Sequence, residues 1–314
     1  MRRFLALART AAVESLAEPL AAVLFLSGLL LVHVAPAFHY HQFGEAGRLA
    51  RECGFSALLV FGLVFATASA VRAVGRELES GTAAVALAMA VPRPLFLTAR
   101  IAGVLGALLL FAFAVACATS LSFSSSVIAA FFRSEFGTQA QAWGPGLASG
   151  AGLTLAAFVL AAAANRFLRM RFCLTACIAM ALVQPLAIAV SAVSADGVLP
   201  PSFKGFGVSL AGMSPAFAGL FCGCSVFVVF AGALAVRLGQ TSVTACVAAA
   251  IVLSFLHPLR AVLPDINAFW LVDRLANGGT LGWSEVLPAI AAAALMSVFW
   301  LVAGSILLAR REIR

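Results

Sequence analysis

The apolar positions of this chain come in long unbroken runs separated by short polar stretches. A helix that crosses a bilayer needs about 17 to 25 apolar residues. Eight stretches have that character: Leu20–Phe38, Gly54–Val71, Ala99–Ser122, Gly146–Asn165, Phe172–Ser194, Ser214–Val236, Ser242–His257 and Val286–Ala309. The seventh is short, and with the sixth it can instead form a re-entrant or outer hairpin. The pattern predicts an all-α, polytopic helical bundle of about eight spans in a single domain. Its polar interludes are an inner loop at 72–98 and outer stretches at 39–53, 123–145, 195–213 and 258–285. Small residues crowd 149–165 and 289–305, where helices can approach closely. Pro185 and Pro215 fall in or at the start of spans, where kinks are tolerated once neighbours resatisfy the backbone.

Composition fixes the class. Of 314 residues, 63% are hydrophobic and 10% charged, with a mean hydropathy of +1.08. Soluble domains carry about 25% charge. The net charge of +8 comes without a basic run or basic–aromatic interleaving, so nucleic acid is not an expected partner; the lipid bilayer is. With the N-terminus placed inside, six of the 20 basic residues fall outside: Arg48, Arg51, Arg133, Lys204, Arg260 and Arg274. The other fourteen fall inside, among them Arg2, Arg3, Arg9, Arg72, Arg76, Arg93, Arg310, Arg311 and Arg314. That bias predicts cytoplasmic N- and C-termini. Residues 2–18 read as a helix on the inner membrane face, with Arg2, Arg3 and Arg9 toward headgroups and Phe4, Leu5, Leu7 and Leu16 toward lipid. Glu14 and Glu18 in that leader argue for a retained first span rather than a cleaved signal.

The acids limit the energy source. None of the 12 lies at the centre of a predicted span, whereas ion-coupled transporters usually keep an ionisable group there. A secondary transporter is therefore the less favoured reading. The one lysine, Lys204, follows no glycine-rich phosphate loop. Uphill work would need energy from a separate protein docked on the inner face. No span pairs Ser with His or Asp with Asp in a protease-like way, so no catalytic residue and no cofactor is expected.

The inner stretch GRELESGTAAVALAMAVPRP, 75–94, is the place for such docking. A helix can run on to about Glu79; Gly81 permits a break, and Thr82 or Ser80 can cap a new start. AAVALAMA, 83–90, favours helix, and Val91-Pro92 stops it. The short apolar helix that results either lies on the membrane surface or fits a partner's groove.

This stretch, extended to GRELESGTAAVALAMAVPRPLFLTARIAG, resembles the inner loop of ABC-2 type transporter permeases. Glu77, Glu79, Gly81, Thr82, Pro92 and Arg93 match the family's acidic pair, Gly-Thr and Pro-Arg turn, and Arg100 stands where the family often has Lys or Arg. FGEAGRLARECG, 43–54, is similar to the first outer loop of a subgroup related to the permease of nitrous-oxide-reductase copper maturation. LPDINAFWLVDRLANGG, 263–279, and the tail ARREIR resemble the family's outer helix and basic end. The resemblance implies the permease subunit of an ABC transporter in a bacterial inner (plasma) membrane. It implies docking of a cytoplasmic ATP-binding cassette ATPase on Arg76, Glu77, Glu79, Gly81, Thr82, Pro92 and Arg93, with Glu77 and Glu79 meeting basic groups on it. A second permease subunit, a copy or a paralogue, would complete the path. The family core has six spans, so 195–258 departs from it. A permease-like scaffold for an ATPase in an envelope process is the alternative.

Other features carry less. In 263–279, Pro264 suits a first helical turn; Asp265, Phe269, Trp270, Asp273 and Arg274 make a candidate outer gate, weighed against an ordinary interfacial helix, which is favoured. Cys173, Cys177, Cys222 and Cys224 could suggest a soft-metal path, but membrane helices use cysteine as a small apolar residue, and no metal site is expected there. His39 and His41 read as a solvated loop rather than metal ligands.

Overall fold

The computed structural model describes residues 1–35, 47–79, 91–136, 145–195, 202–254, 269–270 and 281–311. Among these, all regular structure is helical. The helices are α1 (Arg2–Ala17), α2 (Pro19–Val34), α3 (Arg48–Val71), α4 (Arg93–Phe136), α5 (Pro145–Leu168), α6 (Phe172–Ala195), α7 (Ser202–Ala235), α8 (Gln240–Leu253) and α9 (Trp283–Ala309). Below α3 the chain continues as a π-helical segment, Arg72–Arg76, and a last turn, Glu77–Glu79.

Six of these helices are long and apolar enough to cross a membrane: α3 with its extension, α4, α5, α6, α7 and α9. The pair α1 and α2 would make a seventh if taken together, but they meet at a 67° bend. The bend has a local cause. Pro19 restricts the residue before it to extended backbone, and Glu18 takes φ −74°, ψ 140°. Pro19 then opens α2 at the position where a missing N–H costs nothing.

Element boundaries differ from expectation where apolar pattern and helix propensity diverge. The stretch 123–145, expected as an outer loop, is largely helical: α4 runs through to Phe136 and α5 starts at Pro145. Likewise α7 begins at Ser202, inside the expected 195–213 loop, and passes Pro215 without a break. Helical bonding does not stop where apolarity does. The seventh expected span is only a 14-residue helix, α8, about 21 Å long at the usual rise.

The bundle is built on α3, α4 and α7, whose most apolar windows are 61–72% buried, against 11% for α9. Without a hydrophobic drive between helices in lipid, contact rests on close packing. Phe25, Phe65 and Phe111 interlock α2, α3 and α4, the Phe25 and Phe111 rings 4.9 Å apart. Phe55 meets Phe217 at 4.8 Å, tying α3 to α7, and Phe230 meets Trp300 at 4.6 Å, tying α7 to α9. At Gly103 the α1 backbone comes so near α4 that a Cβ would sit 2.2 Å from the Ala8 carbonyl oxygen.

Side-chain contacts define the two ends. The start of α4 meets the end of α9, because Arg93 Nη1 donates to the Leu308 carbonyl at 3.4 Å and to that of Ala309. Arg311 donates to the carbonyl of Val236, just past α7. Basic side chains thus satisfy exposed helix C-terminal carbonyls. Glu14 of α1 reaches Arg100 at this same end, so the end of α1, the start of α4 and the end of α9 meet at one end of the bundle. Gly219 faces Val286 and Gly304 faces Ala233, so α7 and α9 run parallel.

Candidate functional site

The end where α1, α4 and α9 meet is charged. Glu14 and Glu18 lie four residues apart, on α1 and at its bend. Facing them are Arg72 and Arg76 of the π-helical segment, Glu77 just below it, and Arg100 in the second turn of α4. Arg100 is the anchor: its side chain is 5% exposed, its Nη1 lies 2.8 Å from Glu14 Oε2, and its Nη2 pairs with Glu77. Its guanidinium also sits 5.7 Å above the ring of Phe96. Its Nε is buried with no hydrogen-bond partner among the described residues.

A second cluster shares Glu18. Arg72 Nη1 pairs with Glu18 Oε2, and Arg76 Nη1 approaches Glu18 Oε1 at 3.8 Å while 72% of its side chain stays exposed. Between the clusters lies a cavity of about 540 Å³, walled by Glu14, Glu18, Arg72, Arg76 and Glu77, with the small residues Ser15, Ala17, Ser69 and Ala73 giving it room. The wide π-helical turn, a feature that recurs at functional sites, sets Arg72 and Arg76 on this wall.

The residues expected to dock a partner divide here. Arg76 and Glu79 are exposed. Glu77 turns inward to Arg100 instead of outward to a partner. The carbonyl of Pro92 accepts from the N–H of Phe96 at 3.1 Å, which opens α4, and Arg93 holds the end of α9. Gly81 and Thr82 lie outside the described residues.

Of the outer-gate candidates, Pro264, Asp265, Asp273 and Arg274 lie outside the described residues, as do His39 and His41. Phe269 is 4% exposed and packs with Val226 and Ala293, between α7 and α9. A Cβ on Gly223 would stand 2.9 Å from its ring. Trp270 is partly buried against the main core. Phe269 acts as a wedge between α7 and α9.

At the opposite end of the bundle is a polar group that the sequence pattern did not bring forward. His33 is fully buried; its Nε2–H donates to Gln184 Oε1 at 2.9 Å, and the Ser122 hydroxyl lies 3.3 Å from Nδ1. Gln184 Nε2 donates to Thr154 Oγ1, also at 2.9 Å, and to the carbonyl of Met180. Thr154 in turn donates to the carbonyl of Gly150 at 2.7 Å. The chain of bonds joins α2, α4, α5 and α6. Gly150 is required there: a Cβ would fall 2.4 Å from the imidazole. The cysteines are all free. Cys177 and Cys224 point their thiols at the carbonyls of Leu16 and Leu58 on neighbouring helices.

No family model, no curated protein and no solved structure matches the chain.

Proposed function

We propose that this chain is the membrane-spanning permease subunit of a transporter driven by a separate cytoplasmic ATPase, resembling ABC-2 type permeases. The observation that supports it best is the way α3 ends. It ends in a π-helical segment that is ion-paired to α1, followed by a turn whose Glu77 pairs with Arg100 of α4. Residues 80–92 join that segment to the start of α4, which Arg93 ties to α9. A push on this stretch would reach four helices at once. Glu79 and Arg76, exposed beside it, are the groups left to orient a partner electrostatically.

In this reading the charged end faces the cytoplasm, as the excess of basic residues there favours. Both chain ends are cytoplasmic, in a bacterial inner membrane. The chain crosses eight times: the parallel course of α7 and α9 calls for a return between them, which α8 and the residues after it would make. A second permease subunit would complete the path. The cargo is a separate question from the coupling.

The test is co-purification. The tagged chain, solubilised from its native membrane, is expected to bring down an ATP-hydrolysing subunit in stoichiometric amount. Glu79→Lys is expected to reduce that recovery about tenfold, a charge-pair loss and reversal worth about 1.4 kcal/mol or more. Membrane insertion should be unchanged. Undiminished recovery would remove Glu79 from the docking surface, and absence of any ATPase would overturn the proposal.

A further inference from the structure

A different basic feature of the charged end is the turn between α5 and α6, NRFLRMR, residues 165–171. The thiol of Cys177, in the second turn of α6, points at the carbonyl of Leu16. α6 therefore enters the bundle beside the end of α1, and the turn lies at the charged end. Every residue of the turn is exposed, Phe167 by 81%, Leu168 by 70% and Met170 by 47%. Three arginines thus alternate with three open apolar side chains.

The positive charge here is uncompensated. Neither α5, the turn nor α6 contains an Asp or Glu. None of Arg166, Arg169 and Arg171 has an ion-pair partner among the described residues. The acids of neighbouring α1 and its bend are already engaged, Glu18 by Arg72 and Arg76, and Glu14 by Arg100.

Backbone geometry gives an independent sign. Arg169 has φ 53°, in the left-handed region, and is the one non-glycine residue there among the described residues. A helix that ends this way usually has Gly or Asn at that position, because a Cβ crowds the following carbonyl. Asn165 Nδ2 holds the turn by donating to the Met170 carbonyl at 2.6 Å. Thr175 closes its far side, its N–H and its hydroxyl each donating to the Arg171 carbonyl at 3.0 Å. A general excess of inner positive charge accounts for arginines near the turn. It does not account for an arginine where glycine fits without strain. Strain of this kind persists where the side chain has a use.

Length decides what these side chains meet. The apolar part of α5, Gly150–Leu168, has 19 residues. That is about 28 Å, which fills the roughly 30 Å of a bilayer's hydrocarbon. Phe172 opens the next apolar helix only three residues after α5 ends. The turn therefore sits at headgroup level, with no length to reach a soluble partner. Phe167, Leu168 and Met170 suit the acyl border, and arginine stems can lift their guanidiniums to the phosphates. Arginine meets phosphate oxygens through paired N–H donors.

We propose that the α5–α6 turn is a headgroup site for an anionic phospholipid of the leaflet at the charged end, its phosphate held by Arg166, Arg169 and Arg171 and its acyl chains beside Phe167 and Leu168. The proposal rests on the chain being membrane-embedded and not on the ATP-driven reading, so it is tested without any ATPase.

The full-length chain, depleted of lipid in detergent, is titrated with phosphatidylglycerol or phosphatidylcholine and followed by native mass spectrometry. Phosphatidylglycerol should be retained about tenfold more tightly than phosphatidylcholine, and glycerol phosphate at equal concentration should not displace it. Arg166→Gln and Arg171→Gln should each lower that retention about fivefold, the worth of one basic residue at an anionic surface. Arg169→Gly separates binding from folding. It relieves the left-handed strain, so it should lower retention as much while unfolding at the same or a higher denaturant concentration. Arg310→Gln, at an exposed position past the end of α9, should retain lipid like the parent. Three results would overturn the proposal. One is parental retention in Arg169→Gly. Another is an equal loss in Arg310→Gln, which would make the effect one of bulk charge. The third is displacement by glycerol phosphate, which would make the turn a site for free phosphate.

Discussion

Replacing Arg100 with glutamine removes the cation that Glu14 and Glu77 share near the start of α4. The cost can be apportioned from exposure. Arg100 and Glu77 have side chains 5% and 16% exposed, whereas Glu14 is 49% exposed. Breaking a buried pair by deleting one partner costs about 3–5 kcal/mol, because a charge is left in a poorly solvated place. An ion pair open to water contributes only about 0–1 kcal/mol. Arg100→Gln should therefore destabilise by about 3 kcal/mol, nearly all of it through Glu77. Glu14→Gln should cost about 1 kcal/mol or less, since water can replace that half of the contact. The double variant Arg100→Gln/Glu77→Gln removes the stranded carboxylate as well. It should be about 1–2 kcal/mol more stable than Arg100→Gln alone. The assay is denaturant unfolding of the detergent-solubilised chain, followed by tryptophan fluorescence, with the parent, Arg100→Gln, Glu77→Gln and their double variant compared as a double-mutant cycle. If Arg100→Gln unfolds within about 0.5 kcal/mol of the parent, or if Glu77→Gln adds to it rather than relieving it, the pairing described here does not hold the end of α3.

Three further outcomes are expected. Gln184→Leu leaves the His33 Nε2–H buried without an acceptor and should cost about 1–3 kcal/mol; His33→Phe/Gln184→Leu should recover part of that, and strict additivity would refute the network. Gly103→Leu should force α1 off α4 at a cost of about 1–3 kcal/mol, read as faster proteolysis within residues 2–17; unchanged cleavage would mean that α1 does not lie on Gly103. Cys53, on the first turns of α3 at the end opposite the charges, should react with an impermeant thiol reagent in intact cells, and labelling only after lysis would invert the topology.

The bundle was legible in the apolar runs because burial in lipid leaves a one-dimensional trace: every long stretch without charge had to be a helix with its own hydrogen bonds satisfied. Helix ends were less legible. The extension of α4 to Phe136 and the early start of α7 lie outside the apolar runs, and hydropathy has no signal for a helix that continues past them. The π-helical turn at 72–76 and the bend at Glu18 differ in this respect. Glu18-Pro19 announces the bend, while nothing in RAVGR announces a wide turn, because a π-segment arises from how α3 must settle against its neighbours.

The candidate site shows the same division. Glu77, Glu79, Arg76 and Arg93 drew attention as a polar interruption between apolar runs, and Arg100 through the resemblance. Which carboxylate meets which guanidinium depends on contacts 54 and 86 residues apart along the chain, between Glu18 and Arg72 and between Glu14 and Arg100. Glu14 and Glu18, four residues apart on α1 and at its bend, were the sequence signal of a shared face. His33 and Gln184, 151 residues apart, left none, since a lone histidine at the end of an apolar run has no spacing to interpret.

The sequence by itself determined that this chain is a helical membrane protein, where most of its crossing helices run, and that its polar residues gather in a few connecting stretches. Those properties follow from the free energy of placing each residue in lipid or water, which is a local sum. Only the tertiary structure decided that Arg100 is buried between Glu14 and Glu77, that Glu77 turns inward while Glu79 stays exposed, and that α7 and α9 run parallel. It also placed Arg72 on the wall of a cavity. Pairing among charges depends on distances between helices, and helix packing sets those distances through the small residues and aromatic wedges at each contact.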